Sequence, residues 1–289
     1  MSYQIITDAT CDINAESLAP FAPVKIIPMD IMVGNDPYLY GEGDNITITD
    51  FYKAQRGGKF CSTSQINPMK YKDYFEAELK DGKDVIYFSL TSGLSGSYAN
   101  ACMIAEELME EYPGRKVYCV ETFAASVGLG LMVREAARLQ TEGMDVETLF
   151  HKMTENRLNI CHWFTVDTFD HLRHGGRVSA AAAAMGTVLN IKPMLRIAND
   201  GTLETKDKPR GRKRAMMLQI KRFQEGWMPE LSNYVLVGHA DDIEAANDLK
   251  ALIQKTAPGA HVEIADIGPV IGAHVGPGML AIIYWGSNR

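Results

Sequence analysis

The residues best equipped for chemistry lie in one hydroxyl- and glycine-rich run. Phe88-Ser89-Leu90-Thr91-Ser92-Gly93-Leu94-Ser95-Gly96-Ser97-Tyr98 follows an apolar segment, Val85-Ile86-Tyr87-Phe88, and precedes a helix-like stretch over 98–110. A strand that breaks into a Gly/Ser loop and then opens a helix is a common anion cradle. Glycines let amide groups converge, and the helix N-terminus adds partial positive charge. A second hydroxyl cluster, Cys61-Ser62-Thr63-Ser64-Gln65, precedes another helical pattern over 69–79. Asp8 and Asp12 follow a first strand candidate, where they serve either as helix caps or as part of a polar site. His274 sits in a glycine-rich stretch over 268–278, read as a loop. Two basic segments complete the inventory: His171-Leu172-Arg173-His174-Gly175-Gly176-Arg177 and Pro209-Arg210-Gly211-Arg212-Lys213-Arg214. A charge run at a helix start is usually a solvated face. Four cations there oppose the helix dipole, so a docking partner is the competing reading.

These groups suit several chemistries unequally. A serine hydrolase requires a nucleophile elbow, and Gly93-Leu94-Ser95-Gly96-Ser97 does not match G-x-S-x-G. Asp8-Ala9-Thr10-Cys11-Asp12 lacks the D-x-D-x-T order of one phosphatase class. No Walker A sequence and no complete G-x-G-x-x-G occurs, since Gly128-Leu129-Gly130-Leu131 lacks the third glycine. A hydrolase or phosphotransferase acting through Ser95 or Asp8 stays open as the alternative. What remains is a neutral, hydroxyl-rich site that orients a carboxylate or phosphate as readily as it reacts with one.

The elements that must position these residues alternate strand and helix through the first half. That pattern predicts a largely parallel sheet flanked by helices, with ligands at the carboxyl ends of its strands. The turns at 8–12, 63–65 and 91–97 are then neighbours. A second α/β series begins near Ile160, which divides the chain into domains 1–159 and 160–289. Asn199-Asp200-Gly201 reads as a hairpin turn between strand candidates. The five alanines at 180–184 fit either close packing or a space for something long and apolar.

Composition bounds the function. The chain has 289 residues and a formal net charge of −7, which disfavours a polyanion or nucleic-acid binder. No apolar run approaches a membrane span, and the start lacks the pattern of a signal peptide. Five scattered cysteines without a C-x-x-C pair argue against a disulfide framework or a structural zinc site, so a reduced, cytoplasmic protein is expected.

Eight motifs in order carry a family likeness over nearly the whole chain. They begin with Ile6-Thr7-Asp8-Ala9-Thr10-Cys11-Asp12, Thr63-Ser64-Gln65 and Thr91-Ser92-Gly93-Leu94-Ser95-Gly96-Ser97-Tyr98. Gly128-Leu129-Gly130, Gly175-Gly176-Arg177-Val178-Ser179 and Leu189-Asn190-Ile191-Lys192-Pro193 follow, then Arg210-Gly211-Arg212-Lys213 and His274 before Gly276-Pro277-Gly278. The sequence resembles the DegV family of bacterial fatty-acid-binding proteins. The resemblance implies two α/β domains enclosing one long-chain fatty acid as ligand, with no metal, no cofactor and no catalysis by the chain itself. It implies a carboxylate clamp of Thr63, Ser95 and His274, with Ser64 and Ser92 of the same motifs as further contacts, and an acyl tunnel in the second domain. It also implies presentation of the acid to a separate fatty-acid kinase, which makes acyl-phosphate for phospholipid synthesis, through Arg177, Arg210 and Arg212. The chain departs from the usual pattern at Ala9 and Cys11, where serines are usual, and at Glu121-Thr122, where Asp-Ser is usual.

Overall fold

The computed structural model describes residues 2–41, 43–178 and 190–289. The alanine run at 180–184, with Ser179 and Leu189 on either side of it, lies outside the described residues.

The first half contains strands β1 (Tyr3–Asp8), β2 (Val24–Ile27), β3 (Met29–Val33), β4 (Asp36–Tyr40), β5 (Cys61–Thr63), β6 (Asp84–Ser89) and β7 (Val117–Glu121). Its helices are α1 (Ala15–Leu18), α2 (Ile48–Arg56), α3 (Pro68–Lys80), α4 (Ser97–Glu111), α5 (Val127–Thr141) and α6 (Val146–Asn156). The expected parallel sheet is present, in the order β2-β1-β6-β7. β6 is buried along its whole length, as its unbroken apolar run requires of a central parallel strand. Local signals set the helix starts. The Asn67 side chain accepts the Met69 N–H at 2.9 Å, with Pro68 in the first turn of α3. Thr47 and Asp50 exchange two bonds at the start of α2.

A small antiparallel sheet, β4-β3-β5, was not legible in the sequence. β5 has only three residues, and its hydroxyl-rich sequence carries no apolar alternation. Its pairing with β3 fixes Thr63 opposite Ile31.

The second half contains β8 (Ile160–Thr165), α7 (Asp170–His174), β9 (Met194–Ile197), β10 (Leu203–Asp207), α8 (Arg212–Gly226), β11 (Tyr234–His239), α9 (Ile243–Thr256), β12 (His261–Asp266), α10 (Pro269–Val275) and β13 (Leu280–Trp285). These strands form a mixed sheet, β10-β9-β8-β13-β11-β12, in which only β11 and β12 run parallel. The expected hairpin joins β9 to β10. The glycine-rich stretch around His274 is a helix, α10, rather than a loop; its glycines at 268, 276 and 278 flank the helix, and only Gly272 falls within it. Among the described residues, no helix is long and apolar enough to cross a membrane.

The second sheet sorts its side chains by period two. Cys161 and Trp163 of β8, with Leu280, Ile282 and Tyr284 of β13, pack with residues of α8 and α9. Phe164, Ala281 and Ile283 point to the opposite face and join the core shared with the first half. α5 lies between the two sheets. It touches β1 and β6 on one side and β8, β11 and β13 on the other, and ten of its residues, from Val127 to Leu139, are buried.

Two glycines permit this double contact. A Cβ on Gly130 would overlap the Cys11 carbonyl oxygen in the first half, and one on Gly128 would overlap the His162 ring in the second. Gly128→Ala and Gly130→Ala are therefore expected to destabilise the protein by about 1–3 kcal/mol each, through overpacking. Gly259→Ala, which meets nothing within 4 Å, should be neutral by comparison. Thermal or urea unfolding of the three variants checks this; equal midpoints would contradict the packing account.

Candidate functional site

The N-terminal end of α5 opens onto a cleft between the halves, about 830 Å³ in volume with its mouth included. Its wall is mainly apolar: Leu90 and Leu94 from the β6–α4 loop, Phe164, Ile197, Leu203 and Ile283 from the second sheet, and Val270, Ile271 and Val275 from α10. Polar groups come from Thr63, Ser64, Gln65, Ser95, Ser126, His162, Arg177 and His274.

Thr63 and His274 meet directly, with Thr63 Oγ1 2.8 Å from His274 Nε2. His274 Nδ1 is buried and has no partner among the described residues. A buried orphan acceptor is less unfavourable than a buried orphan N–H, so the proton is assigned to Nε2. That nitrogen then donates to Thr63, and the Thr63 hydroxyl hydrogen is free to point into the cleft. Burial lowers the His274 pKa to about 4, with further help from Arg177 and His174, so the ring is neutral near pH 7. Glycines permit the packing around it. A Cβ on Gly175 would run into the His274 ring, and one on Gly276 would run into His171. The two motif segments therefore interlock, each histidine seated on the other's glycine.

Ser95 lies 2.9 Å from the Ser97 hydroxyl and accepts the Ser97 N–H at 3.2 Å. Arg177 donates Nε to the Leu94 carbonyl at 3.2 Å and Nη1 to the Gly175 carbonyl, which holds its guanidinium in the cleft wall. This placement differs from that of a free docking residue. Thr63, Ser64, Ser95, Arg177 and His274 are thus brought together, with Ser64 exposed at the mouth.

Ser92 is not among them. It is exposed, and its backbone N–H binds the Glu121 carboxylate at 3.0 Å. The Phe123 N–H binds the same carboxylate at 3.0 Å. The amides expected to cradle a ligand anion thus converge partly on the chain's own Glu121. Gly93 permits a close approach instead. A Cβ there would strike the backbone of Gly201, where the β9–β10 hairpin docks on the loop.

Arg210 is exposed beside an open groove that also includes Arg214, Met217 and Lys221. Arg212 is engaged within the chain. It donates to Asp167 at 3.0 Å, Asp242 at 2.9 Å and the Gly278 carbonyl at 2.6 Å, tying α8 to the ends of β8 and α9. Asp8 and Asp12 do not cap α1. Asp8 accepts the Thr10 N–H at 3.0 Å and the Tyr87 hydroxyl at 2.6 Å. Asp12 accepts the Ser126 hydroxyl at 2.6 Å and the Gly268 N–H at 2.9 Å, a tie between the halves.

His162 was missed by sequence reasoning, although a lone histidine amid the apolar residues of β8 was its signal. Its Nε2 accepts the Ala125 N–H at 3.4 Å, and Nδ1 donates to the Ile160 carbonyl at 3.2 Å. Burial, with the nearby Arg289 charge, lowers its pKa to about 3. Ser126 was also missed; it holds a positive φ of 54° at the turn into α5.

Comparison with known proteins places this fold. Residues 2–286 match the family described as "Uncharacterised protein, DegV family". The chain belongs to the DegV family. A DegV domain-containing protein of Clostridium perfringens is 33% identical over 287 residues, covering 99% of this chain and 98% of that one. One from Lactococcus lactis is 30% identical over 285 residues, covering 98% and 97%. Among solved structures, a DegV-family protein of Thermus thermophilus, described as fatty-acid binding, superposes with a TM-score of 0.85 at 28% identity, covering 99% and 100%. A DegV lipid-binding protein of Thermotoga maritima gives 0.84 at 26% identity over the whole of both chains. The fatty acid kinase (Fak) B3 protein of Streptococcus pneumoniae, loaded with linoleic acid, gives 0.86, covering 99% and 100%; at 20% identity it speaks for the DegV fold alone.

The neutral His274 has a thermodynamic consequence. Its ordinary pKa is near 6.5, so between about pH 6.5 and pH 4 the unfolded chain holds the extra proton. Its stabilising contribution is present above pH 6.5 and is lost as the pH falls towards 4. Asp12, raised by burial to about 7, acts with the opposite sign, so the test lies in a difference. Wild-type stability should fall more steeply than that of His274→Gln across this window, by at most about 1.4 kcal/mol per pH unit. Parallel urea-denaturation profiles would refute the neutral assignment.

Proposed function

We propose that this DegV-family protein binds one long-chain fatty acid, carboxylate at the Thr63–His274–Ser95 end and acyl chain along the apolar wall, and presents it to a separate fatty-acid kinase. The observation that carries this reading is a cleft whose wall is mainly apolar and to which Thr63, Ser95, Arg177 and His274 supply polar groups. Binding of each methylene contributes about 0.8 kcal/mol, so the chain supplies affinity and the polar groups need only orient the head. The Thr63 hydroxyl, freed by the His274 donor, and the Ser95 hydroxyl are matched to a carboxylate, with the Arg177 charge alongside. Fatty-acid binding by the Thermus thermophilus relative and lipid binding by the Thermotoga maritima relative support the same ligand class.

Carriage is favoured over turnover by the nucleophile's surroundings. Ser95 has the Ser97 hydroxyl and amide as partners, whereas the His274 nitrogen is paired with Thr63. An activated serine needs a base on its own oxygen. Asp8 is fully buried, which separates it from any phosphate in the cleft. The exposed Arg210 groove is the surface we assign to the kinase, with Arg212 holding that helix in place. The division at 159/160 and a cytoplasmic location, in keeping with five free cysteines, belong to the same proposal.

Solvent extraction of the denatured protein, made in a lipid-replete host, should release about one fatty acid per chain by mass spectrometry. Ser95→Ala and Thr63→Val should each weaken fatty-acid affinity about 10- to 100-fold, the loss of one charge-assisted hydrogen bond. Recovery of no lipid, or unchanged affinity in both variants, would sink the ligand reading.

A second measurement addresses the partner. Arg210→Ala should lower acyl-phosphate formation by a fatty-acid kinase while lipid binding and stability stay unchanged. Arg212→Ala should instead lose stability by about 1–3 kcal/mol, because Asp242 and the Gly278 carbonyl lose their donor and Asp167 keeps only Lys192. An unaltered kinase rate with Arg210→Ala would remove that residue from the docking surface.

A further inference from the structure

Glu121 ends β7 and carries a buried carboxylate that the clamp does not use. Its Oε2 accepts the Ser92 N–H at 3.0 Å, and its Oε1 accepts the Phe123 N–H at 3.0 Å, with the Ser92 N–H also 3.3 Å from Oε1. Amides from two separate segments thus converge on one anion, which is the geometry of a nest. The turn that carries Glu121 is anchored without the loop. Arg157 Nη1 donates to the Glu121 carbonyl at 3.4 Å, and Arg289 donates to the Phe123 carbonyl. Glu121 is therefore a fixed post, and the Ser/Gly loop is the part that it places.

We propose that Glu121 is a positioning residue for the head group: its carboxylate is a built-in anion that fills the nest of the Ser92 and Phe123 amides and so sets Ser95 and Arg177 for the bound fatty acid. The inference rests on the fatty-acid reading and deepens it. Its basis is where the loop's backbone donors go. The Thr91 N–H binds the Ala124 carbonyl at 3.0 Å, and the Gly93 N–H binds the Thr91 hydroxyl at 3.2 Å. The Leu94 and Ser95 N–H groups bind the Thr91 carbonyl at 3.1 and 3.2 Å. Of these consecutive amides, that of Ser92 alone is held by a side chain from another element. The Ser92 N–H and the Thr91 carbonyl belong to one planar peptide. By holding the N–H, Glu121 fixes the direction of the carbonyl that receives Leu94 and Ser95.

Two polar groups of the cleft wall depend on that turn. Ser95 brings its hydroxyl, and the Leu94 carbonyl receives Arg177 Nε at 3.2 Å. Rotation of the 91–92 peptide would displace both together. A carboxylate supplied by the chain also keeps the nest from drawing a ligand's head group away from the clamp. Ser92 is exposed and outside the cleft lining, so a small solute can reach the nest once the Glu121 side chain is shortened.

The test measures the affinity of the delipidated full chain for a fluorescent C18 polyene fatty acid near pH 7. Glu121→Ala should bind about tenfold more weakly. Sodium formate, whose carboxylate takes the vacated place in the nest, should restore most of that loss. Sodium chloride at equal concentration should not, and neither salt should alter the wild type. A merely stabilising role for Glu121 would leave the affinity of the folded variant indifferent to formate. Thermal melts establish folding, and if Glu121→Ala does not fold, Glu121→Gln decides, since its amide keeps one acceptor and sets a donor against the other N–H. Weaker binding by folded Glu121→Gln then supports the inference, and wild-type affinity overturns it. Unchanged affinity in Glu121→Ala, or a loss that formate does not reverse, overturns this inference and leaves fatty-acid binding standing. Absence of wild-type binding overturns both.

Discussion

The close approach of one helix to two sheets is the constraint on which the rest of this structure depends. α5 has no solvent face of any extent, since it packs on the parallel sheet with one side and on the mixed sheet with the other. A helix in that position must present small residues where backbones or rings come nearest. Gly128 serves the second sheet and Gly130 serves the first half. The cleft forms where this sandwich ends. The turn into α5 supplies Ala125, Ser126 and Val127 to its wall, and the two halves diverge around them. Asp12 then bridges Ser126 to Gly268, so the strained entry to the helix is also a tie between the halves.

Preorganisation of the polar end follows from how completely its neighbours are occupied. Glu121 takes the Ser92 and Phe123 amides, Arg177 holds the Leu94 carbonyl, and Ala125 uses the His162 nitrogen. Groups already bonded to the protein do not compete for a ligand. The hydroxyls of Thr63 and Ser95 are the exceptions, because each has a partner that leaves its own hydrogen to be directed. The departure from the usual family pattern at Glu121 acquires a physical role here: a longer carboxylate reaches across to the loop and fixes it from within.

Sequence reasoning reached the fold where the pattern was strong. The unbroken apolar run of β6, Pro68 at the start of α3, and the Asn199-Asp200-Gly201 turn each specify local geometry with little help from tertiary contacts. It failed where geometry comes from distant partners. β5 is a strand because β3 lies beside it, and the glycines flanking α10 admit the His171 and Asp167 side chains rather than mark a loop. In the site, motif order located Thr63, Ser95 and His274. It set Ser92 among the ligand contacts and Arg212 on the docking surface, whereas Ser92 lies outside the cleft lining and Arg212 is bonded within the chain, because charge and hydroxyl type are visible in a sequence while the direction of a side chain is not. Asp167 and Asp242, which engage Arg212, are separated from it by tens of residues.

The charge balance of the cleft bears on what kind of head group it suits. His162 and His274 are held neutral by burial, so among the described lining residues the fixed positive charge is that of Arg177. A monoanion with a long apolar tail matches one cation, and the hydroxyl donors complete its hydrogen bonds. A dianionic phosphate in the same place would carry a second charge into a wall whose described residues offer no second cation to meet it, and uncompensated burial of a charge costs several kcal/mol. The same apolar wall that suits an acyl chain on the proposed reading therefore disfavours a more highly charged head. On the proposed fatty-acid reading, selection for a carboxylate rests less on any single contact than on keeping two histidines neutral beside one arginine.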